Sequence, residues 1–249
     1  MNAPAQLKQP YSTPTRCIAS CASCPAHDFG ACHGMSAALE DPPPALLPVA
    51  EHSIPARRVI FRQRDMHDVV PFICRGWAAA AVTLSDGSRQ ILSFLIPGDI
   101  VSSSLLFGPS AHCMVEAITE VHYRCFRRED LKSMLLTDPD LFDKISRLWI
   151  DGKLRAYDLA VDLGRRTADE RIARLILGLK ERLTSRGLAQ GETMDFPLRQ
   201  HHVADATGLT AVHVSKVLSE FRRRGLIEIN DRCLTILKPV EFQRIATMR

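Results

Sequence analysis

No run of about 18 or more apolar residues occurs in the 249-residue chain, which excludes a transmembrane helix. The N-terminus, MNAPAQLKQPYSTPT, lacks the apolar segment of a secretory signal. A cytoplasmic protein with no membrane partner is therefore expected. The chain also has no Gly-rich flavin or nicotinamide fingerprint and no obvious catalytic constellation. An enzyme is not expected, and His27, His33, His112, His201 and His202 read as surface or ligand-adjacent residues rather than catalytic bases. Net charge is small, at +4, but it is unevenly distributed. From Gly164 onward there are 16 Lys and Arg against 10 Asp and Glu, whereas the first 163 residues carry 16 against 18. A basic C-terminal third suits a nucleic-acid-binding module, because phosphates favour local positive charge; a solvated basic face is the alternative.

What the chain does have is cysteine. Eight is high for a cytosolic protein, where disulfides rarely persist. Cys17, Cys21, Cys24 and Cys32 fall close together, and Cys74, Cys113, Cys125 and Cys233 are scattered. Such clustering points to metal or cluster ligation rather than a disulfide framework.

Five regions follow from composition and periodicity. Residues 1–16 read as a disordered N-terminus and 17–36 as the Cys-rich segment, with Asp41-Pro42-Pro43-Pro44 as a helix-breaking linker. Residues 37–136 contain short strands separated by turns. Arg58–Arg62, Pro71–Val82 and Arg89–Ile96 are strand-like, Ser85-Asp86-Gly87-Ser88 is a hairpin turn, and Met114–Phe126 reads as one long strand or a strand pair. This pattern suggests a small β-barrel or β-roll. Residues 137–164 form a long helix with two apolar stripes. Leu141, Ile145 and Leu148 are expected to pack on the barrel, and Ile150, Leu154, Tyr157 and Val161 to form a seam facing a second subunit, unless both stripes are internal core. Residues 165–249 open with a capping box at Thr167-Ala168-Asp169-Glu170, with Ile172, Leu175, Ile176 and Leu179 as the apolar face of the helix it starts.

The sharpest signal is HVADATGLTAVHVSKVLS, from His202 to Ser219. Gly208 supplies the left-handed residue between two steeply crossed helices, and Ala204 is small where the second helix crosses. Val203, Leu209, Val214, Val217 and Leu218 fill the space between them, and Thr210 caps the second helix. A helix over Thr210–Arg224 would enter a major groove with Val212, His213, Ser215 and Lys216 at base edges. Arg222, Arg223 and Arg224 suit phosphates. Gly225–Ile229, Asn230-Asp231-Arg232 and Cys233–Ile236 read as a hairpin wing. The fold class is thus α+β, with a β-roll, a long dimerisation helix and a C-terminal winged helix-turn-helix.

Gln90–Asp99, the long helix, Ala168-Asp169-Glu170-Arg171 and the helix-turn-helix together resemble the CRP/FNR family of transcription regulators, over nearly the whole chain. The resemblance implies a homodimer, double-stranded promoter DNA and RNA polymerase as partners, and a cyclic-nucleotide-binding-like β-roll as sensor. Cyclic-nucleotide members carry a Gly-Glu and a later Arg-Ser/Thr pair. Pro97-Gly98-Asp99-Ile100-Val101-Ser102 and Ala111-His112-Cys113-Met114 stand at those positions here, so cAMP is not expected. Cys21-x2-Cys24-x7-Cys32 resembles the oxygen-sensing FNR/FnrL/FnrN branch. That implies an oxygen-labile [4Fe-4S] cluster controlling dimerisation and promoter binding, held by Cys21, Cys24, Cys32 and one barrel cysteine.

Three departures stand out. Gapless comparison puts the fourth ligand at Arg124, one residue before Cys125, and strand neighbours point to opposite faces. A bulge would bring Cys125 into place; Cys113 and Cys17 are the other candidates. A regulator of the same class without iron, sensing through thiols or a Zn site with His27 or His33, is the alternative reading, and an iron–sulfur redox protein a remote one. FNR reads DNA with Glu-x-x-Ser-Arg, where this chain has Val212-His213-Val214-Ser215-Lys216, so the usual FNR half-site is in doubt. Ala156 stands where FNR has an Asp that keeps its cluster-free form monomeric.

Overall fold

The computed structural model describes residues 49–247. The expectations for 1–16 and for the Cys-rich segment, with Cys17, Cys21, Cys24 and Cys32, lie outside the described residues.

The N-terminal domain is a roll of two antiparallel sheets. One has the order β1-β7-β3, from Ala50–Ile54, Val121–Arg127 and Val69–Arg75. The other has the order β2-β6-β4-β5, from Val59–Phe61, Met114–Ala117, Ala78–Thr83 and Arg89–Leu95. Alternating residues of both sheets meet in a core that includes Phe61, Ile73, Ala80, Val115, Tyr123 and Cys125. The expected Met114–Phe126 region is a strand pair, and the Pro71–Val82 region is broken in two at Gly76. There φ is +87°, and an added Cβ would lie 2.0 Å from the Glu120 carbonyl oxygen. No side chain fits at that turn, so Gly is required. The β1 strand was not expected, because AEHSI is half-buried throughout and shows no alternation.

A short helix α1 (Ser104–Phe107) and α2 (Arg128–Thr137) close one end of the roll. Buried Arg128 fastens them, its guanidinium donating to the carbonyls of Leu105 and His67. The long helix α3 (Pro139–Arg165) begins where Asp138 accepts a hydrogen bond from the Leu141 amide at 3.0 Å. Leu141 and Ile145 are buried against the roll, with Leu148 and Trp149 packed beside them. By contrast, Ile150, Leu154, Tyr157 and Val161 are 49–57% exposed. The first stripe serves the chain's own core, and no described residue covers the second.

Arg166 is extended, and α4 (Ala168–Thr184) follows. The capping box is formed: the Thr167 amide donates to the Glu170 carboxylate at 2.7 Å, and the Glu170 amide to the Thr167 hydroxyl at 3.4 Å. The C-terminal domain then combines α5 (Gln200–Thr207), α6 (Ala211–Arg223) and α7 (Pro239–Thr247) with a sheet of order β10-β11-β9-β8. Its strands are Ile227–Asn230, Cys233–Ile236, Thr193–Asp195 and Ala189–Gln190. Asp231 (φ 47°) and Arg232 (φ 65°) make the two-residue mirror-image turn that a tight hairpin prefers, so the expected wing is formed.

The two domains share apolar packing. Trp77, Ala79, Ala81, Ile91, Phe94 and Ile96 of the roll belong to one buried cluster with the α4 and α5 side chains. The Gln90 side chain adds a hydrogen bond to the Ala206 carbonyl at 3.3 Å.

Candidate nucleic-acid interface

Helices α5 and α6 cross at Gly208, whose φ of +65° and ψ of 32° are those of a left-handed cap. Its amide returns to the Ala204 carbonyl, which closes α5. Thr210 caps α6 by accepting from the His213 amide at 3.2 Å. Val203, Ala204, Val214, Val217, Leu218 and Phe221 are buried between these helices and the rest of the domain. Apolar spacing thus fixes which face of α6 turns outward.

That face carries Val212, His213, Ser215, Lys216, Ser219 and Arg223, with Arg222 at its far end. A shallow concavity of about 570 Å³ runs along it, lined by Gln200, Ala211, Val212, Ser215, Lys216, Ser219, Glu220 and Arg223. Of the residues expected at base edges, Val212, Ser215 and Lys216 are brought together here, and exposed His213 sits on the same first turns. An exposed lysine donates to guanine acceptors, and an exposed valine meets a thymine methyl. Thr210, expected to meet DNA as well, is exposed at the start of α6 while its hydroxyl caps the helix.

Sequence reasoning missed two members. Gln200, at the start of α5, donates to the Ser215 hydroxyl at 3.3 Å and extends the surface onto a second helix. Glu220 grips Arg223 with two bonds of 2.7 and 2.8 Å. The i, i+3 spacing of Glu220 and Arg223 was the available signal. Arg222 reaches the Ser219 hydroxyl at 3.2 Å, and Arg224 turns to Glu241 at 3.1 Å.

One expectation is corrected. His202 is not a surface residue: it is buried, and its Nδ1 accepts from the Arg199 amide at 3.1 Å, closing the start of α5. Burial pushes its pKa down from 6.5 to about 4, with His201, Arg89 and Arg199 adding to the effect.

On the β-roll side, Ala111 is fully buried, and the Asp99 carboxylate accepts from Arg182 and Arg186, at 2.6 Å each. Burial alone would raise the Asp99 pKa, but the two guanidiniums outweigh it and hold the carboxyl below its ordinary range.

Cys125 faces the roll interior. The β7 register runs unbroken against β1 from Ala50↔Cys125 to Ile54↔Val121, and the irregularity against β3 falls at Ile73/Arg75. No bulge turns Cys125 outward. Its outward neighbour Arg124 pairs with Glu51 at 2.6 Å. Burial, helped by the charge of Asp68, pushes the Cys125 thiol up to about 12. A cluster ligand must also reach the metal, whereas Cys125 points into the packed roll core. Cys113 is half-buried just before β6, and burial raises its thiol as well. Among the described residues, no three His, Cys, Asp or Glu side chains gather as metal ligands. Among them too, no helix is long and apolar enough to cross a membrane.

Comparison with known proteins agrees with this architecture. Residues 51–138 match the cyclic nucleotide-binding domain family, and residues 170–245 the Crp-like helix-turn-helix domain family. The nitrogen fixation regulation protein FixK of Bradyrhizobium diazoefficiens is 30% identical over 187 residues, which are 75% of this chain and 78% of that protein. The transcriptional activator protein FnrL of Cereibacter sphaeroides is 29% identical, over 78% of this chain and 77% of its own length. Among solved structures, FixK2 of Bradyrhizobium japonicum superposes with a TM-score of 0.71 at 27% identity, over 80% of this chain and 98% of that one. These are families of regulators, not of enzymes. With a β-roll, a long helix and a winged helix-turn-helix in this order, and with these relatives, the chain belongs to the CRP/FNR family of DNA-binding transcription regulators.

Proposed function

We propose that this regulator works as a homodimer that reads a two-fold promoter site, and that its signal enters at the N-terminal cysteines. The observation that carries the dimer is the uncovered stripe Ile150, Leu154, Tyr157 and Val161 on α3. Four large apolar side chains on successive turns, each about half exposed, are the pattern of a helix that expects another helix. Two copies joined there would offer two α6 helices to successive major grooves. RNA polymerase is the proposed partner at the promoter, a reading that the name of FnrL as an activator supports.

For the signal, the reading is a [4Fe-4S] cluster answering to oxygen. Support comes from the Cys21-x2-Cys24-x7-Cys32 spacing, which suits thiolate ligation near one end of a chain. Because Cys125 is sealed in the core, Cys113 is the better-suited barrel ligand. A regulator without iron, sensing through thiols or Zn on the same N-terminal cysteines, is the second reading, and the burial of Cys125 is what favours it.

Anaerobic purification with iron, sulfide and zinc analysis separates the two. Cluster control expects a brown protein with about four iron and four sulfide per chain and DNA affinity that falls in air. Colourless protein whose DNA binding is unchanged by air rejects it. Sedimentation of the same preparation tests the dimer, and a monomer at micromolar concentration with DNA bound would reject that half.

A further inference from the structure

The turn that follows β5 faces the end of α4. Asp99 lies on a tight turn in which Gly98 (φ +90°) donates to the Ile73 carbonyl and Asp99 to the Ile96 carbonyl. The Asp99 carbonyl in turn accepts from the Ile73 amide, so the residue is pinned to β3 on both sides. Facing it, one turn apart at the C-terminal end of α4, stand Arg182 and Arg186. Each gives one nitrogen to a separate Asp99 carboxylate oxygen at 2.6 Å. Each gives another to the roll backbone: Arg182 to the Phe94 carbonyl at 2.9 Å and Arg186 to the Pro97 carbonyl at 2.6 Å. The Ile96 amide completes the carboxylate at 2.8 Å. Asp99 is 12% exposed and Arg186 8%, so the clasp is largely shielded from water.

We propose that Asp99, Arg182 and Arg186 form an interdomain clasp that positions the recognition helix α6 for DNA. The orientation of the docked domain supports this. Its contact with the roll is made through α4, α5 and the residues around Phe94 and Ile96, while Val212, His213 and Lys216 on α6 stay exposed. Docking therefore orients the reading face without covering it. A rigid link matters most in a dimer, because two helices held at one separation bind together far better than two that wander. That part of the argument rests on the dimer proposed above; the clasp itself lies within one chain.

The test uses full-length protein and a duplex selected by the wild type from a randomised pool. Asp99→Asn keeps the shape and removes the charge, and Arg186→Gln does the same from the other side, so a fold defect peculiar to one variant is recognised by the other. Both are expected to raise the Kd for the selected duplex about tenfold, a loss of about 1.4 kcal/mol. Both should also bind duplexes with the half-sites moved by one base pair nearly as well as the original, although the wild type rejects them. A general loss of stability would not remove that preference. Hydrogen exchange is read in parallel: amides of residues 94–99 and 182–188 should lose protection in both variants, whatever the oligomeric state. Retained exchange protection overturns the clasp. Lost protection with unchanged or tighter binding and unchanged spacing preference overturns its positioning role. If the wild type is monomeric, the dimer reading fails while exchange still decides the clasp.

Discussion

Replacing Arg171 with Met removes a guanidinium while keeping most of the stem. In the structure Arg171 gathers three backbone carbonyls: Leu163 at 2.9 Å, Arg166 at 2.9 Å and Thr207 at 3.1 Å. These belong to the end of α3, the linker and the end of α5. A single side chain thus serves the C-termini of two helices, where positive charge is favoured, and joins both to α4. Hydrogen bonds to charged groups contribute roughly 1.5–3 kcal/mol each, but Arg171 is half-buried and freed carbonyls regain some water, so a loss of about 3 kcal/mol is expected. With a urea dependence of about 2–3 kcal/mol per molar, the unfolding midpoint of the C-terminal domain should drop by roughly 1–1.5 M. Circular dichroism through a urea titration reads this directly. Arg171→Lys should recover only part, since an ammonium cannot span three divergent carbonyls. A loss below about 1 kcal/mol for Arg171→Met would refute the reasoning, because it would mean that water serves these helix ends as well as the guanidinium does.

Further outcomes are expected. Lys216→Ala should weaken binding to the selected duplex by about 1–3 kcal/mol and relax the preference at one base pair, with unfolding unchanged because the side chain is exposed; fluorescence anisotropy on single-base variants checks both. Leu154→Asp should turn a dimer into a monomer in sedimentation while leaving the melting of the isolated chain intact, since Leu154 touches no core; an unchanged dimer would remove the seam. The folded pKa of His202 is depressed to about 4 from 6.5, so its contribution to stability is complete above pH 6.5 and is lost as pH falls towards 4. Chemical denaturation across that window should show the decline in wild type and a shallower one in His202→Gln. Cys125→Ser should cost about 1–3 kcal/mol by burying a hydroxyl among apolar neighbours, and should leave any visible absorbance in place.

The parts of this molecule that were readable from sequence are those whose causes are local. Gly208 and Thr210 announced a turn and a cap because a left-handed residue and a side-chain acceptor have few substitutes. The capping box at Thr167 and the mirror-image turn at Asp231-Arg232 were legible for the same reason. The stripe pattern of α3 separated correctly into a buried and an uncovered set, because helical periodicity alone decides it. What was hidden depends on distant partners. Asp99 meets Arg182 and Arg186 across 83 and 87 residues, which no spacing rule reaches. His202 was read as surface because its burial comes from the rest of the fold, Arg89 of the roll among its neighbours. The strand break at Gly76 is set by the Glu120 carbonyl, invisible until β7 is in place.

The pairing of Glu220 with Arg223 changes how this surface would answer to salt. A free arginine that meets a phosphate releases the cations condensed on DNA and adds close to one unit to the slope of log affinity against log salt. Arg223 arrives already neutralised by a bidentate partner on its own helix. To reach a phosphate it must leave a carboxylate that then faces the DNA unscreened. Its contribution to the slope should therefore be well below one, and Glu220→Gln should steepen the slope while strengthening binding to all sequences alike. Glu220 would thus act as a counterion carried by the protein, holding down attachment to arbitrary DNA and leaving more of the affinity to the base edges read by Val212 and Lys216.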